Sequence, residues 1–235
     1  MDILVRYDKG DLTESEQQEI IKISQDYGDV RMEPLGIRSG AIDLVSCIEF
    51  SLGAQIFKIV SDAFLKGLIN DDYIKGLGKQ VRLFFEGQTM DIRSLISAYY
   101  KVFIANNRTN NKAISFVEHF QKYTIYAVLN ANKTTPKITE GLAEALVRTC
   151  SLISQRIFDE NNESYIIQLY PNFSTETWDY VFAPTMDAFG RYIDRYFDFN
   201  DNEFHYLNST EEFISKFGIE NIDEYKFIIY PKIRR

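Results

Sequence analysis

Asp2-Ile3-Leu4-Val5-Arg6-Tyr7, then Asp8-Lys9-Gly10-Asp11, then Thr13-Glu14-Ser15-Glu16: the reading of these residues decides how the first part of the chain folds. The apolar run bounded by a turn-prone tetrad reads as a strand. Thr13 and Glu16 have the S/T-x-x-E spacing in which side chain and backbone satisfy each other's free groups at a helix start. A helix therefore runs to about Tyr27, Gly28 closes it, and Val30–Leu35 reads as a second strand. The result is a β-α-β unit, whose crossover helix lets its two strands lie parallel.

Beyond this unit, Ala41, Leu44, Val45, Ile48 and Leu52 recur at a spacing nearer 3.6 than 2, with Asp43, Ser46 and Glu49 between them. Ile56, Ile59, Val60, Ala63, Phe64 and Leu68 continue the stripe past Gly53. The expectation is a long amphipathic helix or helical hairpin over 41–69, too rich in charge for an ordinary membrane span. Val81–Phe85 reads as a strand, 91–103 as a helix, and Asn106–Asn111 as a loop. A short helix is expected around Ala113–Phe120, then a strand over Tyr123–Leu129. Thr135-Pro136 suits the cap and first turn of a helix reaching Phe158. Tyr165–Leu169 reads as a strand stopped by Pro171. Met186, Phe189, Ile193 and Phe197 read as one helix face, Ser209 and Glu212 cap a short helix, and Tyr225–Tyr230 reads as a closing strand. The fold class expected is α+β, mixed α/β, with a β-α-β plus helical module over 1–88 and an aromatic-rich α+β domain over 89–235.

The chain has 235 residues, with 18 Phe, 15 Tyr and one Trp against 12 Gly and 5 Pro, so bulky rings dominate the core. Lys and Arg number 26 and Asp and Glu 34, a net charge of −8, and neither residues 1–88 nor 89–235 are net basic. Such a field repels phosphate backbones, so no nucleic-acid partner is expected. The acid at position 2 and the short opening apolar run differ from a secretory signal, and the expected location is cytoplasmic. Cys47 and Cys150 belong to no CxxC or Cys/His cluster and read as buried free thiols.

The catalytic motifs fail one by one. Lys75-Gly76-Leu77-Gly78-Lys79 lacks the spacing of a phosphate loop, and no nucleophile elbow, zinc-protease helix or dinucleotide fingerprint occurs. Asp198-Phe199-Asn200-Asp201-Asn202 begins like a calcium loop, but Glu203 stands where the turn glycine belongs and Ser209 where the bidentate glutamate belongs. No metal set and no cofactor are expected. Glu224-Tyr225-Lys226 has the E-x-K spacing of magnesium-dependent nucleases, with Asp198 or Asp201 available as the partner acid. Binding candidates lie in the aromatic last third. Trp178 and Tyr180 alternate with Phe182 as on a strand, and such rings concentrate binding energy at interfaces. Arg191, Asp194 and Arg195 would share one helix face, two guanidinium forks flanking a carboxylate.

Residues 1–70, through the strand Ile3–Tyr7, the capped helix, the second strand, Arg38-Ser39-Gly40-Ala41 and the Leu44–Leu68 stripe, resemble the effector-associated N-terminal modules of bacterial conflict-system proteins. The resemblance covers under a third of the chain, carries no catalytic residue, and implies an adaptor or effector role in anti-phage immunity. The leading expectation is thus a non-enzymatic interaction protein that assembles with itself or with a partner chain. The alternatives are membrane perturbation through 41–69 after a trigger, and a magnesium-dependent nuclease using Asp198 or Asp201 with Glu224 and Lys226.

Overall fold

A computed structural model describes residues 2–8, 12–35, 47–51, 94–99, 113–130, 133–158, 165–187 and 190–219. Its first elements are β1 (Asp2–Asp8), α1 (Glu14–Gln25) and β2 (Asp29–Leu35), with β1 and β2 parallel: the expected β-α-β unit. Thr13 accepts the Glu16 amide at its side chain (3.3 Å) and donates its own amide to the Glu16 carboxylate (2.7 Å), closing the capping box. Gly28 has φ +153°, a backbone state open to glycine at the return from α1 to β2. Residues 94–99 are helical and dock on α1, where the Tyr99 hydroxyl meets Ser24 Oγ at 2.6 Å.

Strands β3 (Cys47–Ser51), β4 (Ala113–Phe120) and β5 (Tyr123–Asn130) follow, then α2 (Pro136–Ser154), β6 (Ile166–Leu169), β7 (Tyr180–Phe182), β8 (Thr185–Asp187), β9 (Gly190–Tyr192), β10 (Arg195–Asp198), β11 (Glu203–Tyr206) and α3 (Thr210–Lys216). The chain is a mixed α+β fold. Among the described residues, nine strands form one sheet in the order β11-β10-β7-β6-β5-β4-β3-β1-β2, and β8 pairs with β9 apart from it. Pairs β1–β2, β3–β4 and β5–β6 are parallel and the other pairs antiparallel.

The register explains the packing. One row of directly opposed residues crosses all nine strands: Met32, Val5, Phe50, Phe116, Ala127, Leu169, Val181, Phe197 and Phe204, every one apolar. Opposed residues share a face. Apart from Phe50, the residues of this row belong to the main core or pack against it, together with Ile20 of α1, Leu95 and Tyr99, and Ile138, Leu142, Leu146, Cys150 and Ile153 of α2. Thr135 caps α2 with Pro136 in its first turn, as its sequence predicts. On the opposite face, Phe182 and Tyr196 pack with Phe213 of α3.

Three expected helices are strands. Residues 47–51 form β3 within the expected 41–69 helix, which splits the continuous stripe on which membrane perturbation relied. Cys47-Ile48-Glu49-Phe50-Ser51 also alternates with period two, and pairing with β1 and β4 selects that reading. Residues 113–120 form β4 instead of a short helix. Its hairpin with β5 turns at Gln121, φ +54°, without the glycine that usually announces such a turn. The expected helix through Met186–Phe197 is replaced by β8, β9 and β10, where aromatic residues suit a pleated, half-buried surface. The phosphate-loop look-alike at 75–79, the strand at 81–85, the domain boundary near Gly87, the Asn-rich loop, the rest of the 91–103 helix and the strand at 225–230 lie outside the described residues.

Candidate functional site

The β10–β11 hairpin brings together the largest share of the residues singled out above. Its turn is built by its own side chains. Asp198 Oδ1 accepts the Asn200 amide (2.8 Å), Asp201 Oδ1 accepts the Glu203 amide (3.0 Å), and Asn202 takes φ +61°, a conformation its short polar side chain tolerates. Two outside contacts anchor the turn. Phe199 donates its amide to Asp179 O (2.8 Å), and Arg148 of α2 donates to Phe199 O (3.1 Å) with its guanidinium 4.2 Å from that ring.

On the α3 side, His205 lies directly opposite Tyr196, and the rings stack at 5.1 Å with 16° between planes. His205 Nε2 donates to Asp201 Oδ2 (2.7 Å). Partial desolvation pushes the Asp201 carboxyl up, but the His205 hydrogen bond and the Glu203 amide outweigh it and hold it below its ordinary 3.8. Lys216 of α3 reaches over the buried Tyr196 ring at 4.9 Å, and a hydrogen bond with the Tyr196 hydroxyl raises the ammonium above its ordinary 10.5. Burial, then the carboxylates of Asp198 and Asp179, raise the Tyr180 phenol. Ligand atoms of Asp198, Asp201 and His205 lie within 4.8 Å of one another, two hard oxygens and one imidazole nitrogen that could face a divalent cation. In this arrangement the nitrogen is engaged by Asp201.

On the α2 side, Phe204 meets Phe158 and Phe197 edge-on at 5.8 and 5.3 Å, and the Arg195 guanidinium lies 5.5 Å from the Phe204 ring. Next to Phe204 on this face, Tyr206 is 72% exposed, the most exposed large hydrophobic residue among the described ones.

The candidates named from sequence are dispersed. Trp178 is buried, donates its indole N–H to Ile138 O (2.7 Å), and belongs to the α2-side core, whereas Phe182 belongs to the α3-side cluster. The two therefore do not alternate on one strand face. Tyr180 is half-buried, 5.4 Å from Tyr196 and 4.9 Å from Phe217, directly opposite Asp198. Arg191 stands on β9, Asp194 precedes β10, and buried Arg195 opens β10 opposite Tyr206, so no common helix face joins them. Asp198 and Asp201 do come together, while Glu224 and Lys226 lie outside the described residues. Sequence reading passed over His205 and Tyr206; the Asn/Asp-rich turn between two aromatic runs was the hairpin signal that pointed to them. Cys150 is a buried free thiol, raised well above its ordinary value by burial and then by the nearby Glu118 carboxylate, which makes it a poor nucleophile.

No protein-family model, no curated protein and no solved structure matches this chain. No helix among the described residues is long and apolar enough to cross a membrane.

Proposed function

We propose that this chain is a non-enzymatic interaction protein that acts by assembling with a partner chain or with itself, as an effector or adaptor in bacterial anti-phage defence. The observation that carries this reading is the open outer edge of β11. A nine-stranded sheet whose centre is buried ends in a strand with an exposed aromatic residue and no neighbour on its far side among the described residues. Exposed rings and unpaired strand edges are both docking features. The defence role rests on the β-α-β part of the resemblance of residues 1–70, since β3 interrupts the long apolar helix that the resemblance also used, and we assign the chain to the cytoplasm, where a buried free thiol such as Cys150 persists. Light scattering across a concentration series, alone and with co-expressed neighbouring gene products, is expected to give masses above that of one chain. A monomer under every condition, with no partner bound, overturns the reading.

The convergence of Asp198, Asp201 and His205 favours a second reading, a magnesium-dependent nuclease that also recruits Glu224 and Lys226. It requires divalent metal to raise the melting temperature and to support DNA cleavage, both lost in Asp198→Asn and Glu224→Gln. Failure of both effects in the unaltered chain eliminates it.

A further inference from the structure

We propose that the outer edge of β11, unpaired among the described residues, accepts an extended segment of a partner protein as a further strand, and that this segment alternates Lys or Arg with apolar residues. The inference rests on the interaction reading and deepens it by naming the site and the partner's chemistry.

The backbone defines the edge. Leu207 donates its amide to Asp194 O at 2.7 Å, in line with the β10–β11 register. Residues of an antiparallel pair alternate between facing the partner strand and facing away. Leu207 and His205 therefore turn their backbone groups toward β10, and Phe204 and Tyr206 turn theirs outward. An added strand pairs with these two residues, the usual geometry of strand addition.

The side chains define the occupant. On the α3 side the incoming strand meets Glu203 and His205, with Asp201 and Asp198 at the turn. Residues 198–209 contain three acids and neither Lys nor Arg, and the Lys216 ammonium on this side is engaged by the Tyr196 ring and hydroxyl. On the α2 side it meets Phe204 and the exposed ring of Tyr206. Basic residues on one face and apolar residues on the other complement this pattern, and the chain's net charge of −8 attracts such a segment at longer range. A second copy fits poorly. Its β11 would set the same acids against these, and its β2 carries Asp29 and Glu33 around a single Arg31, followed by Pro34.

The test uses the full chain and two labelled octapeptide probes, four Lys-Val repeats and four Glu-Val repeats, with binding read by fluorescence anisotropy and amide exchange. The lysine probe is expected to bind at least tenfold more tightly, to weaken as salt rises, and to slow exchange at the Phe204 and Tyr206 amides. Tyr206→Pro removes an outward N–H without touching the bonds to β10, and is expected to abolish both effects. Glu203→Lys, which leaves the backbone intact, is expected to reverse the preference and covers the case in which the proline variant does not fold. Equal binding of the two probes, or binding that survives Tyr206→Pro in a folded chain, overturns the proposal. Should folded Tyr206→Pro still assemble to the masses found for the unaltered chain, the interaction reading stands and this edge is excluded as its site.

Discussion

Among the described residues, the two ends of the sheet solve the problem of an exposed edge in opposite ways. At one end β2 runs for seven residues, long enough to template another chain, but it carries Asp29, Arg31 and Glu33 at alternate positions and Pro34, which has no N–H to offer. Charges and proline on an edge strand discourage pairing. At the other end β11 runs for only four residues, and its outward-facing backbone belongs to Phe204 and Tyr206. Brevity is its main protection. The lesson is that a closed edge and an available edge can coexist in one sheet, and that side-chain chemistry, rather than strand length, distinguishes them.

The largest effect should come from removing what holds the available edge in place. Phe197 is buried, opposes Phe204, and meets Phe158, Phe199 and Phe204 edge-on. Phe197→Ala is expected to cost about 3–5 kcal/mol in chemical denaturation, the usual range for deleting a buried ring. Amide exchange should rise first at β10 and β11 while β1–β2 stays protected. Equal loosening at both ends would mean that the sheet opens as one unit and that the comparison has no energetic content.

Acid should act on the same end. Asp201, Glu211 and Glu212 are all held below their ordinary values. For Asp201, hydrogen bonds from His205 and the Glu203 amide prevail over desolvation; for Glu211, the backbone at the start of α3 and Ser209 act; for Glu212, Asn208 acts through its amide and side chain. A carboxyl whose folded value is depressed stabilises the fold above its unfolded value, and that contribution disappears as pH falls through the folded value. The expected outcome is full protection of β11 and α3 at pH 6, with loss beginning below about pH 4.5 and deepening toward pH 3. Exchange or NMR measured across that range checks it, and a β1–β2 pair that opened first on acidification would contradict the assignment.

The helix caps offer a matched pair. Thr13 caps α1 beside the closed edge and Ser209 caps α3 beside the available one, each accepting the amide three residues on. Thr13→Ala and Ser209→Ala are each expected to cost about 1 kcal/mol. Thr13→Ala should loosen α1 and β2, and Ser209→Ala should loosen α3 and the His205 side of β11. Urea midpoints give the magnitude and site-resolved exchange the location.

How far these features could be read from sequence follows from the same contrast. The β-α-β unit was legible because its signals are local: an apolar run, a capping box and a glycine within 35 residues. The start of α2 was legible for the same reason, through Thr135 and Pro136. Strands β3 and β4 were not, since Cys47–Ser51 and Ala113–Phe120 fit both periodicities and only their non-local partners choose between them. The hairpin carrying Asp198 and Asp201 was legible as a turn. His205 and Tyr206 gain their roles from a register, Tyr196 opposite His205 and Arg195 opposite Tyr206, which no short window specifies.

The smallest expected effect lies on the closed edge itself. Arg6 and Glu33 oppose each other across β1 and β2, and Arg6 Nε donates to Glu33 Oε2 at 3.2 Å with both side chains about 40% exposed. Solvent screens such a pair and the ordering of two long side chains offsets much of its attraction, so a double-mutant cycle with Arg6→Ala and Glu33→Ala should return only about 0.2–1 kcal/mol of coupling. The value of the pair lies in what it excludes. With both charges removed, Asp29, Arg31 and Pro34 still guard the edge, and β2 should remain unpaired at low concentration. Adding Pro34→Val to the double variant supplies the missing N–H on a seven-residue apolar-leaning strand, and that triple variant should give light-scattering masses above those of the unaltered chain. If its mass is unchanged while the β11 edge binds its probe, side-chain guarding is not what separates the two edges, and strand geometry must be.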